Sequence, residues 1–197
     1  MPLVVLNRYI DESSIVNILS SDKKGVYEAV NYLIQNGHKD IAIIEGKKGF
    51  NSTTERKNGF LDALIENKIQ INSKYIVEGN YTIGSGYMAM KKLLRLSEIP
   101  TAVFCSNDEM AIGAMKATAE AGLNVPNDIS IMGFDGMQLG DYLTPALTTV
   151  RRPIIEISKR GAEKLLSIIE NNTDDGEKIY ISTELVKRDS VDRKSVV

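Results

Sequence analysis

The sequence predicts an α/β protein built as two doubly wound, parallel-sheet lobes joined by a hinge, and three observations lead there. Short β-branched runs alternate with amphipathic stretches of helical period along nearly the whole chain. Those runs are apolar throughout rather than at every second residue, as in strands covered on both faces. Two long passages, 45–54 and 143–153, carry the period of neither element. A chain that leaves one sheet, builds another and returns would show two such passages.

"PLVVLNR" at 2–8 reads as the first covered strand. "SSDKKGVYEAVNYLIQNG" at 20–37 spaces Val26, Val30, Leu33 and Ile34 as one helix face, with Ser and Asp to cap its start and Gly37 to stop it. "DIAIIEG" at 40–46 is a second buried strand. The alternation continues with a helix at 54–67, a strand at 75–78, a helix at 83–96, a strand at 101–105, a helix at 108–121 ended by Gly122, and a strand at 129–133. Such alternation implies right-handed βαβ units and a parallel sheet. A last helix at 153–171 starts on Pro153, whose fixed φ suits a first turn. An extended piece at 178–188 follows.

"EGKKGFNSTT" is long and polar for a βα connection, and "LTPALTTVRRP" is extended with proline near each end. Crossings at these places assign 1–46 with 151–176 to a first lobe and 47–150 with 177–191 to a second. The tail 192–197, "DRKSVV", is expected to fray.

The 197 residues suffice for a real core, and 43% hydrophobic with 25% charged residues is ordinary for a globular chain. A formal net charge of −2 and an isoelectric point of about 5.6 argue against this chain gripping nucleic acid by itself, since that needs a basic face. The single cysteine, Cys105, precludes an internal disulfide and fits a reducing compartment. No stretch approaches the length of a membrane span, and "MPLVVLNR" lacks the features of a secretory signal, so a cytoplasmic location is expected.

Catalytic groups are sparse. His38 follows a helix end, where it suits the helix dipole. No serine sits in a G-x-S-x-G elbow, and Cys105 within "AVFCS" reads as a small buried hydrophobe. "GSG" at 84–86 has neither dinucleotide-loop spacing nor a Walker lysine, and no His or Cys is grouped with carboxylates for a metal. No enzyme activity, cofactor or metal is expected.

Binding is better supported. Ligands of open α/β sheets sit beyond the carboxyl ends of the strands. That edge here offers Asn7-Arg8, Ser52 with Arg56, Tyr81, Asn107-Asp108, and Asp135 of "SIMGFDG". A guanidinium fork, an amide, a carboxylate and an aromatic face together suit a sugar: the acid accepts from adjacent hydroxyls, the arginine donates to them, and the ring covers the C–H side. Each residue has a plainer reading. Asn107 or Asp108 could cap helix 108–121, Arg56 could be a first-turn surface charge, Tyr81 could be packing, and Asp135 between glycines could be a turn.

Five segments, in order, carry a resemblance: "NYLIQNGHKDIAIIEG", "RKNGF", "PTAVFCSNDEMAIGAMKATAEAGLNVPNDISIMGFDG", "LTPALTTVRRP" and "ELVKRDSV". Together they resemble the effector-binding core of the lactose-repressor/galactose-repressor transcription regulators, over 2–191. The resemblance implies two periplasmic-binding-protein-like lobes that close on a small effector, usually a sugar. It further implies a homodimer that passes the lobe angle to an N-terminal helix-turn-helix on operator DNA. By the same resemblance Arg56, Asn107 and Asp135 fall on effector-contacting positions, Tyr81 where an aromatic covers the ligand, and Ser52 where a hydroxyl contact is common. The family's helix-turn-helix, hinge helix and opening strands are absent from the front. The first lobe is therefore expected to be incomplete, with an uncovered edge, and operator DNA to be reached only through the absent domain. The alternative is a periplasmic-type sugar-binding protein of a transporter, which shares the fold but should carry a signal sequence.

Overall fold

The structure, a computed structural model, describes residues 2–171 and 176–192. The chain forms two sheets. The smaller holds β1 (Val4–Leu6), β2 (Val16–Ser20) and β8 (Lys178–Ile181), all parallel, in the order β1-β2-β8. The larger holds β3 (Ile41–Glu45), β4 (Ile76–Glu78), β5 (Ala102–Cys105), β6 (Ser130–Asp135), β7 (Thr148–Arg151) and β9 (Glu184–Val186), in the order β4-β3-β5-β6-β7-β9. Its pairings are parallel except the last, where β9 runs antiparallel to β7.

Both faces of the larger sheet are covered, which is why its strands read as unbroken apolar runs. Ile41, Ile43, Ala102, Phe104, Met132 and Phe134 face α1 (Asp22–Gln35) and α2 (Asn51–Glu66), where Val26, Leu33, Phe60 and Leu64 meet them. The alternate residues Ala42, Ile44, Val103, Cys105 and Ile131 face α3 (Ile83–Leu93) and α4 (Asp108–Glu120), against Met90, Leu93, Met110 and Ala114. α1 and α2 touch backbone to side at Gly59, where a Cβ would stand 2.2 Å from the Lys23 carbonyl oxygen, so no larger residue fits that crossing. The smaller sheet packs Val16, Ile18 and Ile179 against Ile157 and Ile168 of α5 (Ile154–Asn171).

The lobe boundaries read from the sequence need correction. β3 and α1 belong to the larger sheet, not with 1–46, and β8 belongs to the smaller sheet, not with 177–191. The passage 45–54 is a connection within the larger lobe, and 143–153 contains β7, an inner strand of that lobe. The chain crosses between sheets at 20–22, at 151–154 and at 181–184. These crossings are short because β7 ends directly into α5 and β8 into β9, so composition has little room to mark them.

β2 was hidden within the lead-in to α1. Its Asn17 interrupts the apolar run, yet it is buried and pins the 7–15 loop: its amide nitrogen donates to the Ile10 carbonyl at 3.1 Å and its oxygen accepts from Ile10 N at 2.9 Å. The extended piece at 178–188 is two strands, one for each sheet. His38 is buried rather than placed at a surface helix end, with Nδ1 3.0 Å from Thr101 Oγ1. Gly37 ends α1 at φ +89°, as its position predicts. Cys105 is fully buried, and burial holds its thiol above the ordinary range. The tail 193–197 lies outside the described residues. Among the described residues, no helix is long and apolar enough to cross a membrane.

Candidate functional site

The order of the larger sheet reverses at β3. β4 lies on one side of it and β5 on the other, so the connections leaving β3 and β5 cover opposite faces and open a crevice at their carboxyl ends. The predicted residues gather there.

Arg56, in the second turn of α2, is buried. Its Nε donates to Asp22 Oδ2 at 2.8 Å, its Nη1 donates to the carbonyl of Ser106 just after β5, and its guanidinium carbon lies 3.8 Å from the Phe134 ring centroid. Nη2 stands 3.8 Å from Asp135 Oδ1. A cation this deep needs counter-charges and hydrogen bonds on every side, and the surrounding acids and carbonyl supply them. Asp135 closes β6 with φ +124°, a strained value for a residue with a side chain. Arg152, just past β7, places Nε 2.9 Å from the same Asp135 oxygen. Both atoms are buried without an aligned hydrogen bond, so this carboxylate has acceptor capacity to spare. Burial pushes the Asp135 carboxyl above its ordinary range, against the downward pull of Arg56 and Arg152.

Tyr81 also has a positive φ, +71°. Its ring lies against Gly46, where a Cβ would come within 2.0 Å of the ring, so only glycine leaves the tyrosine room. The Tyr81 hydroxyl is 3.2 Å from Ser52 Oγ and 2.7 Å from Thr53 Oγ1, and Phe50 meets the ring edge-on at 6.4 Å. Asn107 caps α4, its oxygen accepting from Met110 N at 3.0 Å while its amide donates to the Tyr81 carbonyl at 2.9 Å. It therefore does the capping left open between Asn107 and Asp108. Asp108 turns inward, accepting from Thr149 Oγ1 and from Met137 N, both at 2.6 Å. Burial pushes its carboxyl up to about 6, a rise that those two hydrogen bonds oppose.

Ser52, Tyr81, Arg56 and Asp135 thus form one continuous set, with Asn107 attached through Tyr81. A cleft of about 230 Å³ opens beside them between the two sheets. Asn7, Arg8, Leu19 and Tyr180 line it from the smaller sheet, and Asp22, Phe50, Asn51 and Ser52 from the larger. Of the predicted five, Ser52 alone is in the cleft wall; the other four stand behind it. Three contributors escaped the sequence reading. Asp22 looked like a helix cap, yet its carboxylate accepts from Ser20 Oγ and Arg56. Arg152 lies in a segment that reads as a crossing, and Phe134 just past a strand that reads as ending at 133, whereas β6 runs on to Asp135. A buried arginine at a strand edge requires acids nearby, and that requirement was the available signal.

A model of the periplasmic binding protein-like domain matches residues 30–191. A sugar-binding transcriptional regulator of the LacI family from Escherichia coli, solved in complex with phosphate, superposes with a TM-score of 0.87 at 35% identity, over 98% of this chain and 69% of that one. The chain belongs to the LacI family of periplasmic binding protein-like domains. Another LacI-family regulator, from Enterococcus faecium with bound ribose, gives a TM-score of 0.91 at 29% identity, over 98% of this chain and 72% of that one. By sequence, this LacI-family domain is 56% identical over 193 residues to the probable HTH-type transcriptional repressor ExuR of Bacillus subtilis, covering 98% of this chain and 58% of that protein. It thus spans little more than half the length of that relative. These relatives are transcriptional repressors and regulators.

Proposed function

We propose that this domain is the effector-sensing part of a sugar-responsive transcriptional repressor, with Ser52, Arg56, Tyr81, Asn107 and Asp135 as its binding set. The observation that carries the reading is the approach of the Arg56 guanidinium and the Asp135 carboxylate to 3.8 Å at the switch point of the sheet, beside a cleft that both lobes line. A ligand there touches both sheets, so it binds one lobe arrangement better than another and shifts their populations. A ligand that moves past the Ser52 and Asp22 wall of the cleft meets Asp135, which accepts from sugar hydroxyls, Arg56, which donates or holds Asp135 in place, and the apolar face of Tyr81 with Phe50. Asn107 acts mainly by fixing Tyr81. In the whole protein, a dimer carries the lobe change to a helix-turn-helix on operator DNA, in line with the HTH-type name of the Bacillus relative.

Isothermal titration of the chain with D-ribose, D-glucose, D-galactose and inorganic phosphate tests the reading. A sugar that binds should bind about tenfold to a hundredfold more weakly to Asp135→Ala, the loss of a charged hydrogen bond worth ~1.5–3 kcal/mol. Undiminished affinity in that variant would refute the assignment.

A further inference from the structure

Two of the three passages between the sheets run beside the candidate site, and each carries a charge that touches it. The first leads from Ser20 at the end of β2 to Asp22 at the start of α1, and the second from Arg151 at the end of β7 through Arg152 into α5. Asp22 pairs with Arg56 at 2.8 Å, Arg56 stands 3.8 Å from Asp135, and Asp135 stands 2.9 Å from Arg152. A row of alternating charges therefore runs from one passage to the other, with the proposed ligand-binding pair in its middle. The row is uneven. The side chains of Arg56 and Asp22 are only 5% and 8% exposed, whereas those of Asp135 and Arg152 are 20% and 24% exposed. The inner half is locked by hydrogen bonds; the outer half is an ion pair at 2.9 Å whose Asp135 Oδ1 and Arg152 Nε are not well aligned. The backbone follows the same path, with Arg152 N donating to the Asp135 carbonyl at 3.3 Å.

We propose that Arg152 is a positioning residue that ties the Asp135 carboxylate to the passage between the sheets, so that ligand hydroxyls on Asp135 and the angle between the sheets act on the same ion contact. The proposal rests on the effector-site reading. The charged groups facing Asp135 are Arg56 from α2, Asp22 from α1, Asp108 from α4 and Arg152 itself. Asp22 and Arg152 both lie on passages between the sheets, and of the two Arg152 is the one that pairs with Asp135, at 2.9 Å, whereas Asp22 pairs with Arg56. A hydroxyl donating to Asp135 Oδ1 shares that oxygen with Arg152 and weakens the contact between them. A rotation that withdraws Arg152 leaves the carboxylate freer to accept.

The test uses this chain with spin labels at Lys159→Cys on α5 and Lys92→Cys on α3, both exposed, while the native Cys105 is buried. Without ligand, Arg152→Gln should shift or broaden the inter-label distances measured by pulsed dipolar spectroscopy. It should also raise the Asp135 titration midpoint followed by carboxyl carbon NMR. Arg152→Lys should restore most of the midpoint. Adding Arg152→Gln to Asp135→Asn should change the distances no further, because the two act through one contact. Wild-type distances and midpoint in the Gln variant, or additive distance changes, overturn the proposal. Titration with D-ribose, D-glucose and D-galactose separates the two readings. Sugar binding that Asp135→Ala weakens tenfold or more, with distances indifferent to Arg152, leaves the site standing and removes the positioning role. Distances that respond to Arg152 with no sugar bound keep the mechanical tie between Arg152 and Asp135 but overturn its coupling to a ligand, and the site reading falls with it.

Discussion

Replacing Arg56 with methionine keeps an aliphatic stem against Phe134 and deletes the guanidinium. In the native chain that group bonds Asp22 at 2.8 Å, bonds the Ser106 carbonyl and faces Asp135 at 3.8 Å. Its removal strands a buried carboxylate and a buried carbonyl and weakens the surroundings of a second acid. Deleting one partner of a buried ion pair costs ~3–5 kcal/mol. Asp135 is a fifth exposed and the more distant, so Asp22 dominates and the lower figure, about 3 kcal/mol, is expected. For a chain of this length that corresponds to a fall in Tm of roughly 6–12 °C. Urea unfolding at about pH 5 and about pH 7.5 tests the cause as well as the size. Asp135 already titrates above its ordinary range through burial, and Arg56 pulls it down, so the variant raises it further. An acid with a raised folded-state pKa contributes stability at low pH and loses it as pH climbs through that value. The deficit should therefore be smaller at the lower pH. A loss under ~1 kcal/mol at both pH values, or a deficit that grows on acidification, would contradict the ion-pair argument.

Two further outcomes follow from the same geometry. Asp108 titrates near 6 rather than at its ordinary 3.8, so its carboxyl contributes most stability below that ordinary value and loses about 3 kcal/mol as pH rises through 6. Asp108→Asn should accordingly flatten the dependence of the urea midpoint on pH between these values, and parallel curves for the two proteins would be the contrary result. Gly46→Ala puts a methyl 2.0 Å from the Tyr81 ring; it should destabilise the chain by ~1–3 kcal/mol and alter tyrosine fluorescence, whereas Gly84→Ala, with open space around its Cβ, should leave that fluorescence unchanged.

The elements that the sequence reveals are those whose local chemistry and final environment agree. α1 ends at Gly37 and α4 at Gly122 because both chain reversals need positive φ, and β3, β5 and β6 read as covered strands because helices do cover both faces. The same logic points to the carboxyl ends of β3 and β6: Asp135 closes β6, and Arg56 stands in the second turn of the helix after β3. What stayed hidden depends on partners far along the chain. Asn17 looks unlike a strand residue until the 7–15 loop is folded onto it. Asp22 looks like a cap until Arg56, well down the chain, is buried against it. Sheet membership was invisible because strand order is set by three-dimensional pairing, and crossings of two or three residues leave no compositional trace.

The run from Lys178 to Val186 has a consequence for assembly. β8 pairs with β2, near the opposite end of the chain, and β9 completes the rim of the larger sheet beside β7. Neither layer can reach its full complement of hydrogen bonds before this segment is available, so a growing chain carries two unfinished borders until Lys178–Val186 have been made. Closing them requires contacts of long sequence separation, which form slowly. β8 and β9 thus act as a fastener on the rims of both sheets at once, and peeling them away uncovers β2 and β7 together.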